Sequence, residues 1–345
     1  MPEMSRSETS PDAVGHWQAA LAQADTDLLD CLAVNVAVLL AWHGDADVRT
    51  PFAARWLFRL RGKGTRDSRP DLPPQDLADD LRELAGWELQ WQSAAELAGE
   101  LPAWSTTCHG GQPVLVVADA FDMPWVPYCG HEHMEHSFII AGVGDRDLTV
   151  VDGYTNTTEW GAAQPVTSTV GRPEVAGLLA GPGRWSVVGP AGSSPAPNPA
   201  RLVQDNAEQI RSAGQAGCYE AFLSHAATLV QAGDLAPVAL DTWLLARSRG
   251  LHARWLDSEA AAWVPAPTRR DFSATVTAAW TRAAEMSYIG LRRARSGRGV
   301  PPAVTECLRV ACSAEQELAN VLCHDFRSAA VAGRRRTAPG GAPQC

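Results

Sequence analysis

The sequence predicts an α+β chain in two parts. A mixed N-terminal domain covers residues 13–189 and an all-helical domain covers residues 201–328. Three observations carry this reading. PVLVVA (from Pro113), HSFIIAGV (from His136) and LTVVDGY (from Leu148) are apolar, Val- and Ile-rich runs of strand length, and the first two are continuous enough for strands buried on both faces. Those signals stop at a stretch rich in Pro, Gly and Ser, residues 190–200, the composition of a linker. Beyond it, RLVQDNAEQIRSAG, CYEAFLSHAATLVQAG, APVALDTWLLARSRGLHARWL, FSATVTAAWTRAAEMSYIGLRRA and VTECLRVACSAEQELANVLCHDF all read as amphipathic helices. No internal repeat of fixed period is visible.

Taken in order, residues 1 to about 12 are polar and are expected to be disordered. DTDLLDCLAVNVAVLLAWHG follows. From Leu32 to Trp42 it is apolar, broken mainly by Asn35, and its length favours a buried helix over a strand. Asp30 or a neighbour caps it, and His43-Gly44 ends it. Cys31 then stands in the first turn, where free N–H groups and the helix dipole favour thiolate, the reactive species. TPFAARWLFRLRGKG is read as a short amphipathic helix entering a basic loop. DLPPQDLADDLRELAGW places Pro-Pro before a helix with Leu77, Leu81 and Leu84 at helical spacing. WELQWQS is read as a strand and SAAELAGELPAW as a helix. NTTEWG is read as a turn, followed by a small helix and a last strand in GRWSVVGP. Residues 329–345 are expected to form a flexible tail.

Asp145 to Asp147 supply a turn between the second and third strands. If the two pair as a hairpin, His136 at the start of one and Asp152 at the end of the other share one end of the sheet. That is the relation of a base to its orienting carboxylate. A lone cysteine is most often a small core residue. Cys31 is singled out because it opens a helix and precedes first a His-led strand and then an Asp-ended one. Nucleophile on a helix start, then His, then Asp or Asn on strands, is the chain order of papain-like enzymes. His131, Glu132, His133, Glu135 and His136 crowd together, but no second ligand cluster accompanies them and the pattern is not HExxH, so no metal is expected. His131 and His133 are expected in an exposed loop near substrate.

Composition bounds the function. The 345 residues leave room for two cores; 46% hydrophobic and 20% charged content is that of an ordinary globular protein. A net charge of −10 and a pI near 5.4 argue against nucleic acid as the main partner. No apolar run has the length of a membrane helix and the N-terminus lacks an apolar signal core, so a cytoplasmic location is expected. Eight irregularly spaced cysteines without a CxxC pair read as reduced thiols. A homodimer is compatible with the sequence.

DCLAVNVAVLLAWHG, VLVVADAFDMPWVPY, HSFIIAGVGDRDLTVVDGY and a helical C-terminal domain together resemble the butirosin biosynthesis protein H family, over residues 20 to about 325. The resemblance implies a papain-like acyltransferase of natural-product biosynthesis with Cys31 as nucleophile, His136 as base and Asp152 as orienter. It implies no bound cofactor. The acyl or aminoacyl donor would be a phosphopantetheine thioester on a carrier protein and the acceptor a small-molecule amine. Asp119, which the resemblance places near the site, Tyr128 and Tyr154 are further candidates for substrate binding or for the oxyanion. One departure stands out. Papain-like proteases carry a Gln several residues before the Cys as oxyanion donor; here Asp25 holds that offset and the nearest Gln is Gln23. Gln23, or the Cys31 N–H with another amide, is expected to do that work. Asn35, one turn past Cys31, is a further candidate, with a buried Asn satisfied by backbone as the equal alternative. Acyl transfer leads. The same chemistry ending on water or an internal nucleophile (a thioesterase, cyclase or peptidase) comes second, and a non-catalytic carrier-protein-binding helper third.

Overall fold

The computed structural model describes residues 11–61, 68–71, 77–100, 112–192, 198–258 and 264–336. Cys108, Cys345 and the middle of the expected linker lie outside them. The chain forms two compact units. Met1–Phe52 joins Asp76–Ala196 in the first, and Ala53–Gln75 joins Pro197–Cys345 in the second.

The first unit is α+β with antiparallel pairing throughout. Its strands are β1 (Trp87–Leu89), β2 (Gln92–Ser93), β3 (Val114–Asp119), β4 (Glu135–Val143), β5 (Asp147–Asp152), β6 (Asn156–Thr158), β7 (Gly161–Ala163), β8 (Val166–Gly171), β9 (Arg184–Ser186) and β10 (Val188–Pro190). Six of them make one sheet in the order β2-β9-β3-β4-β5-β8; β1 pairs with β10 and β6 with β7 as separate ribbons. Its helices are α1 (Pro11–Gln23), α2 (Cys31–Trp42), α3 (Ala94–Glu100) and α4 (Arg172–Ala180).

The continuous apolar runs have a simple cause, since both faces of the central strands are covered. Val114, Val116, Phe138, Ile140, Leu148 and Val150 share one core with Leu97 of α3 and Val175, Leu178 and Leu179 of α4. By strand alternation Val117, Ser137, Ile139 and Val151 face the other way, and α2 packs on β3 and β4. Val34 to Leu40 of α2 are wholly buried, which is why this helix is apolar all round rather than striped. Gly153 is required by that packing: a Cβ there would stand 3.1 Å from Val34 Cγ2 and 3.2 Å from Val38 Cγ2.

The register sets the site. β4 and β5 pair Ile139 with Val151, and β3 pairs Ala118 with His136. Continuing the β4–β5 ladder by one step sets Asp152 opposite Phe138, so His136 lies one pleat further on the same face.

The second unit holds α5 (Pro199–Gln215), α6 (Cys218–Ala232), α7 (Ala236–Leu256), α8 (Ala278–Arg295) and α9 (Ala303–Arg336). No strand of the sheets described above falls in it. Its centre is polar as well as apolar. Glu315 and Arg249 are both buried and pair through Arg249 Nε at 2.8 Å, and the indoles of Trp56 and Trp280 donate to the Glu315 carboxylate.

Here the domain reading from sequence needs correction. Residues 53–75 were placed in the N-terminal domain but belong to the helical unit. TPFAARWLFRLRGKG is not an amphipathic helix either: among its described residues helix covers only Thr50–Ala53, and Leu60 then bridges Pro70. Tertiary contacts explain both points. Phe58 stacks on Tyr219 with ring centroids 4.0 Å apart, Trp56 meets Phe272 edge-on, and Arg69 grips Asp241 with two hydrogen bonds of 2.9 and 2.7 Å. Two smaller corrections follow. β8 was missed because VTSTVG is a polar, partly exposed edge strand, and α9 continues to Arg336, past the expected start of the tail.

Candidate active site

Asp30 is the N-cap of α2: its backbone is extended and its carboxylate accepts from Ala33 N at 2.8 Å. Cys31 is therefore the first helical residue, and it is half-buried and reduced. The capping carboxylate is itself negative, so it offsets part of the help the helix terminus gives a thiolate. A cation stands at the start of β4.

His136 is that cation. Its Nε2 lies 2.7 Å from Asp152 Oδ2, with both side chains almost completely buried. A carboxylate only accepts, so Nε2 carries the proton. Nδ1 is then turned to the other side, where the Tyr128 hydroxyl lies 3.1 Å away, and Cys31 is near enough to favour the charged imidazole. Burial works against the imidazolium. The charge and hydrogen bond of Asp152, with lesser help from Cys31, outweigh it and push His136 up to about 10. At neutral pH the site therefore holds an imidazolium beside a helix-start cysteine.

Asp152 is surrounded by donors. Oδ2 accepts from His136 Nε2 and from Trp125 Nε1 at 3.2 Å; Oδ1 accepts from Tyr154 N at 3.0 Å and from Asn35 Nδ2 at 3.3 Å. Asn35 is fully buried and holds the site together. Its Nδ2 donates to Cys31 O (3.1 Å) and Ser137 O (2.8 Å), and its Oδ1 accepts from Gly153 N at 2.9 Å. Ser137 Oγ also donates to Cys31 O at 2.6 Å. The start of α2, the start of β4 and the end of β5 are thus pinned by one amide and one hydroxyl. Of the two readings of Asn35 left open by sequence, these bonds describe the satisfied buried amide, not a donor waiting for an oxyanion.

The remaining expected residues are placed as follows. Gln23 is exposed at the end of α1 and its amide turns back on Ala19 O at 3.4 Å. Tyr128 is buried. Tyr154 is partly buried and meets His136 edge-on at 5.4 Å. Asp119 organises a loop. Its carboxylate accepts from Phe121 N, Met134 N and His133 Nδ1, at 3.0, 3.2 and 2.7 Å. The His133 hydrogen bond, with the Phe121 N–H, holds that carboxyl below the usual carboxylate range. Closing the loop at its base in this way carries Trp125 and Tyr128 to the Asp152–His136 pair. His133 is exposed and stacks on Phe121 at 4.2 Å, while His131 stacks on Trp160 at 5.6 Å. No group of three or more His, Cys, Asp or Glu among the described residues is arranged to hold a metal.

Sequence reasoning missed Ser137 and Trp125. Ser137 adjoins His136 on a buried strand, and a hydroxyl there had to find a partner on the opposite face. That signal was present. Trp125 gave none, because a loop tryptophan has no periodicity to place it. No family model matches the chain, and no curated protein matches it. Among the described residues no helix is long and apolar enough to cross a membrane.

Proposed function

We propose that the chain is a cysteine-dependent acyltransferase of papain-like architecture. It would carry an acyl or aminoacyl group from a thioester to an amine through an acyl-Cys31 intermediate. The observation that carries this is the position of His136, clamped by Asp152 at 2.7 Å on one nitrogen and lying close enough to Cys31 for the two to influence each other's charge. Residues from the start of one helix and from two paired strands meet there in the order Cys, His, Asp, an arrangement that supports a proposed thiolate–imidazolium pair. The resemblance to the butirosin biosynthesis protein H family supplies the donor class, a phosphopantetheine thioester on a carrier protein, and the acceptor class, a small-molecule amine.

The steps follow from the protonation states. Cys31 Sγ, as thiolate, attacks the thioester carbonyl carbon and the C=O electron pair moves to oxygen. As that pair returns, the bond to the donor sulfur breaks. The leaving sulfur takes the Nδ1 proton of His136 and departs as a thiol. The acceptor amine next attacks the acyl-Cys31 carbon, and His136, now neutral, takes a proton from its nitrogen. Collapse expels Cys31 as thiolate, leaves an amide and restores the ion pair. Asp152 keeps Nε2 protonated throughout, so Nδ1 is always the nitrogen that gives and takes.

The test is covalent. The protein is incubated with aminoacyl and acyl thioesters of N-acetylcysteamine and mapped by peptide mass spectrometry. The acyl mass is expected on Cys31 and absent from Cys31→Ala, and addition of amines is expected to release it as amide. Release only as free acid would assign hydrolysis instead. A label on another cysteine with Cys31→Ala still active would refute the reading.

A further inference from the structure

We infer that the hydroxyl of Tyr128 is the oxyanion donor of this site, its proton released for that task when His136 becomes charged. The inference rests on the acyl-transfer reading above and adds to it the group that stabilises the transition state.

The site needs such a donor, because acyl transfer through a tetrahedral intermediate places negative charge on the former carbonyl oxygen. Gln23, the sequence candidate, is exposed and bonded within its own helix. The amide of Asn35 is committed to Cys31 O and Ser137 O. The Trp125 indole points at Asp152. Tyr128, in contrast, is 1% exposed and ends in a hydroxyl 3.1 Å from His136 Nδ1, the nitrogen turned away from Asp152, with Cys31 itself near enough to act on the phenol. Its partner changes role during the reaction, which gives the arrangement its logic. When His136 is neutral, Nδ1 offers a lone pair and the Tyr128 O–H donates to it. When His136 is the imidazolium, Nδ1 carries a proton; the phenol oxygen can only accept from it, and the phenol proton turns to another acceptor. The oxyanion exists in the interval when His136 is charged: after thiolate attack and before the leaving sulfur takes the proton. The donor is thus free in the step that needs it. Burial and the Asp152 charge push the phenol well above its ordinary range, so it stays protonated and donates without being ionised.

Two reactions of one thiol separate this role from simple positioning of His136. Alkylation of Cys31 by iodoacetamide uses the thiolate but forms no oxyanion. Acylation by an N-acetylcysteamine thioester uses the thiolate and forms one. Tyr128→Phe is expected to slow single-turnover acylation about 10²- to 10³-fold, the loss of one oxyanion donor, while alkylation stays within about threefold of wild type. Tyr128→Met, which lacks the hydroxyl and fills a similar volume, is measured beside it so that a folding defect in one variant does not decide the matter. Wild-type acylation rates in both variants would overturn the inference. So would a parallel fall of both reactions, which would place the hydroxyl's effect on the ion pair. If wild-type Cys31 takes no acyl group, the acyl-transfer reading fails first and the Tyr128 role falls with it; normal acylation of Tyr128→Phe removes the Tyr128 role alone.

Discussion

Asp152→Asn is the sharpest perturbation the structure offers. From sequence alone the exchange looks mild, since an asparagine carbonyl can accept from the imidazole as the carboxylate does, and a loss of roughly ten- to a thousandfold would follow from the missing charge. The hydrogen bonds change that expectation. All four partners of Asp152 are donors, two on each oxygen. An asparagine has one accepting oxygen, so its NH2 must face donors on one side. With the oxygen toward His136 and Trp125, the NH2 opposes the Tyr154 backbone N–H, which cannot turn away. With the oxygen toward Tyr154 and Asn35, the NH2 opposes Trp125 and forces His136 to accept at Nε2. Its proton then moves to Nδ1, the tautomer that cannot act as base toward Cys31. One arrangement leaves a buried donor unpaired, at about 1–3 kcal/mol. The other removes the base, an exchange that costs about 10⁴-fold in serine-protease triads. Turnover is therefore expected to fall about 10³- to 10⁴-fold, and unfolding stability by about 1–3 kcal/mol. The iodoacetamide rate at Cys31 reads the effect without any substrate and should fall at least about tenfold, because the imidazolium loses its carboxylate in either arrangement. Denaturant unfolding and imidazole nitrogen shifts complete the assay. A variant that alkylates within twofold of wild type and unfolds at the same denaturant concentration would refute the reasoning.

Other consequences are open to measurement. His136 binds its proton more tightly folded than unfolded, so its contribution to stability is complete below about pH 6.5 and is lost as pH rises through about 10; the stability gap between wild type and His136→Gln, followed by urea unfolding, should narrow across that window, and a constant gap would contradict it. Asn35→Ala leaves Gly153 N, Ser137 O and Cys31 O without the amide and is expected to destabilise the first unit by about 3 kcal/mol and slow Cys31 alkylation together, read by denaturation and by alkylation rate. Glu315→Gln removes the charge that balances the buried Arg249 and should lower stability by about 3–5 kcal/mol without changing Cys31 alkylation in the still-folded protein; unchanged stability would contradict the weight given to this pair.

Much of the site was legible because its chemistry rides on regular elements. A helix that starts at a cysteine and two strands that meet at a short turn fix where Cys31, His136 and Asp152 fall, and the period of a strand settles which face they share. What could not be read lies where backbone leaves those periods. Residues 53–61 alternate apolar and basic residues in a way that fits a helical face. Beyond Ala53 the segment nonetheless leaves the helix, and Trp56 and Phe58 find a core built by helices far along the chain. Local pattern cannot report a partner that distant. The same holds for Trp125 and Tyr128. They sit in a loop whose shape comes from the Asp119 carboxylate closing on Phe121 N and Met134 N, and nothing in loop composition says which side chains that closure sends inward.

Asn35 illustrates the harder limit. One turn beyond a helix-start cysteine, an amide is as well placed to stabilise an oxyanion as to hold the fold. The choice depends on whether its N–H groups already have acceptors. Here both do, in Ser137 O and Cys31 O, and its carbonyl takes the N–H of Gly153. A residue bound so completely cannot release a donor without breaking the junction that aligns the Cys31 helix with the His136 and Asp152 strands. The tie and an oxyanion donor are then different residues, and the proposal made for Tyr128 gives the second task to the hydroxyl 3.1 Å from His136 Nδ1.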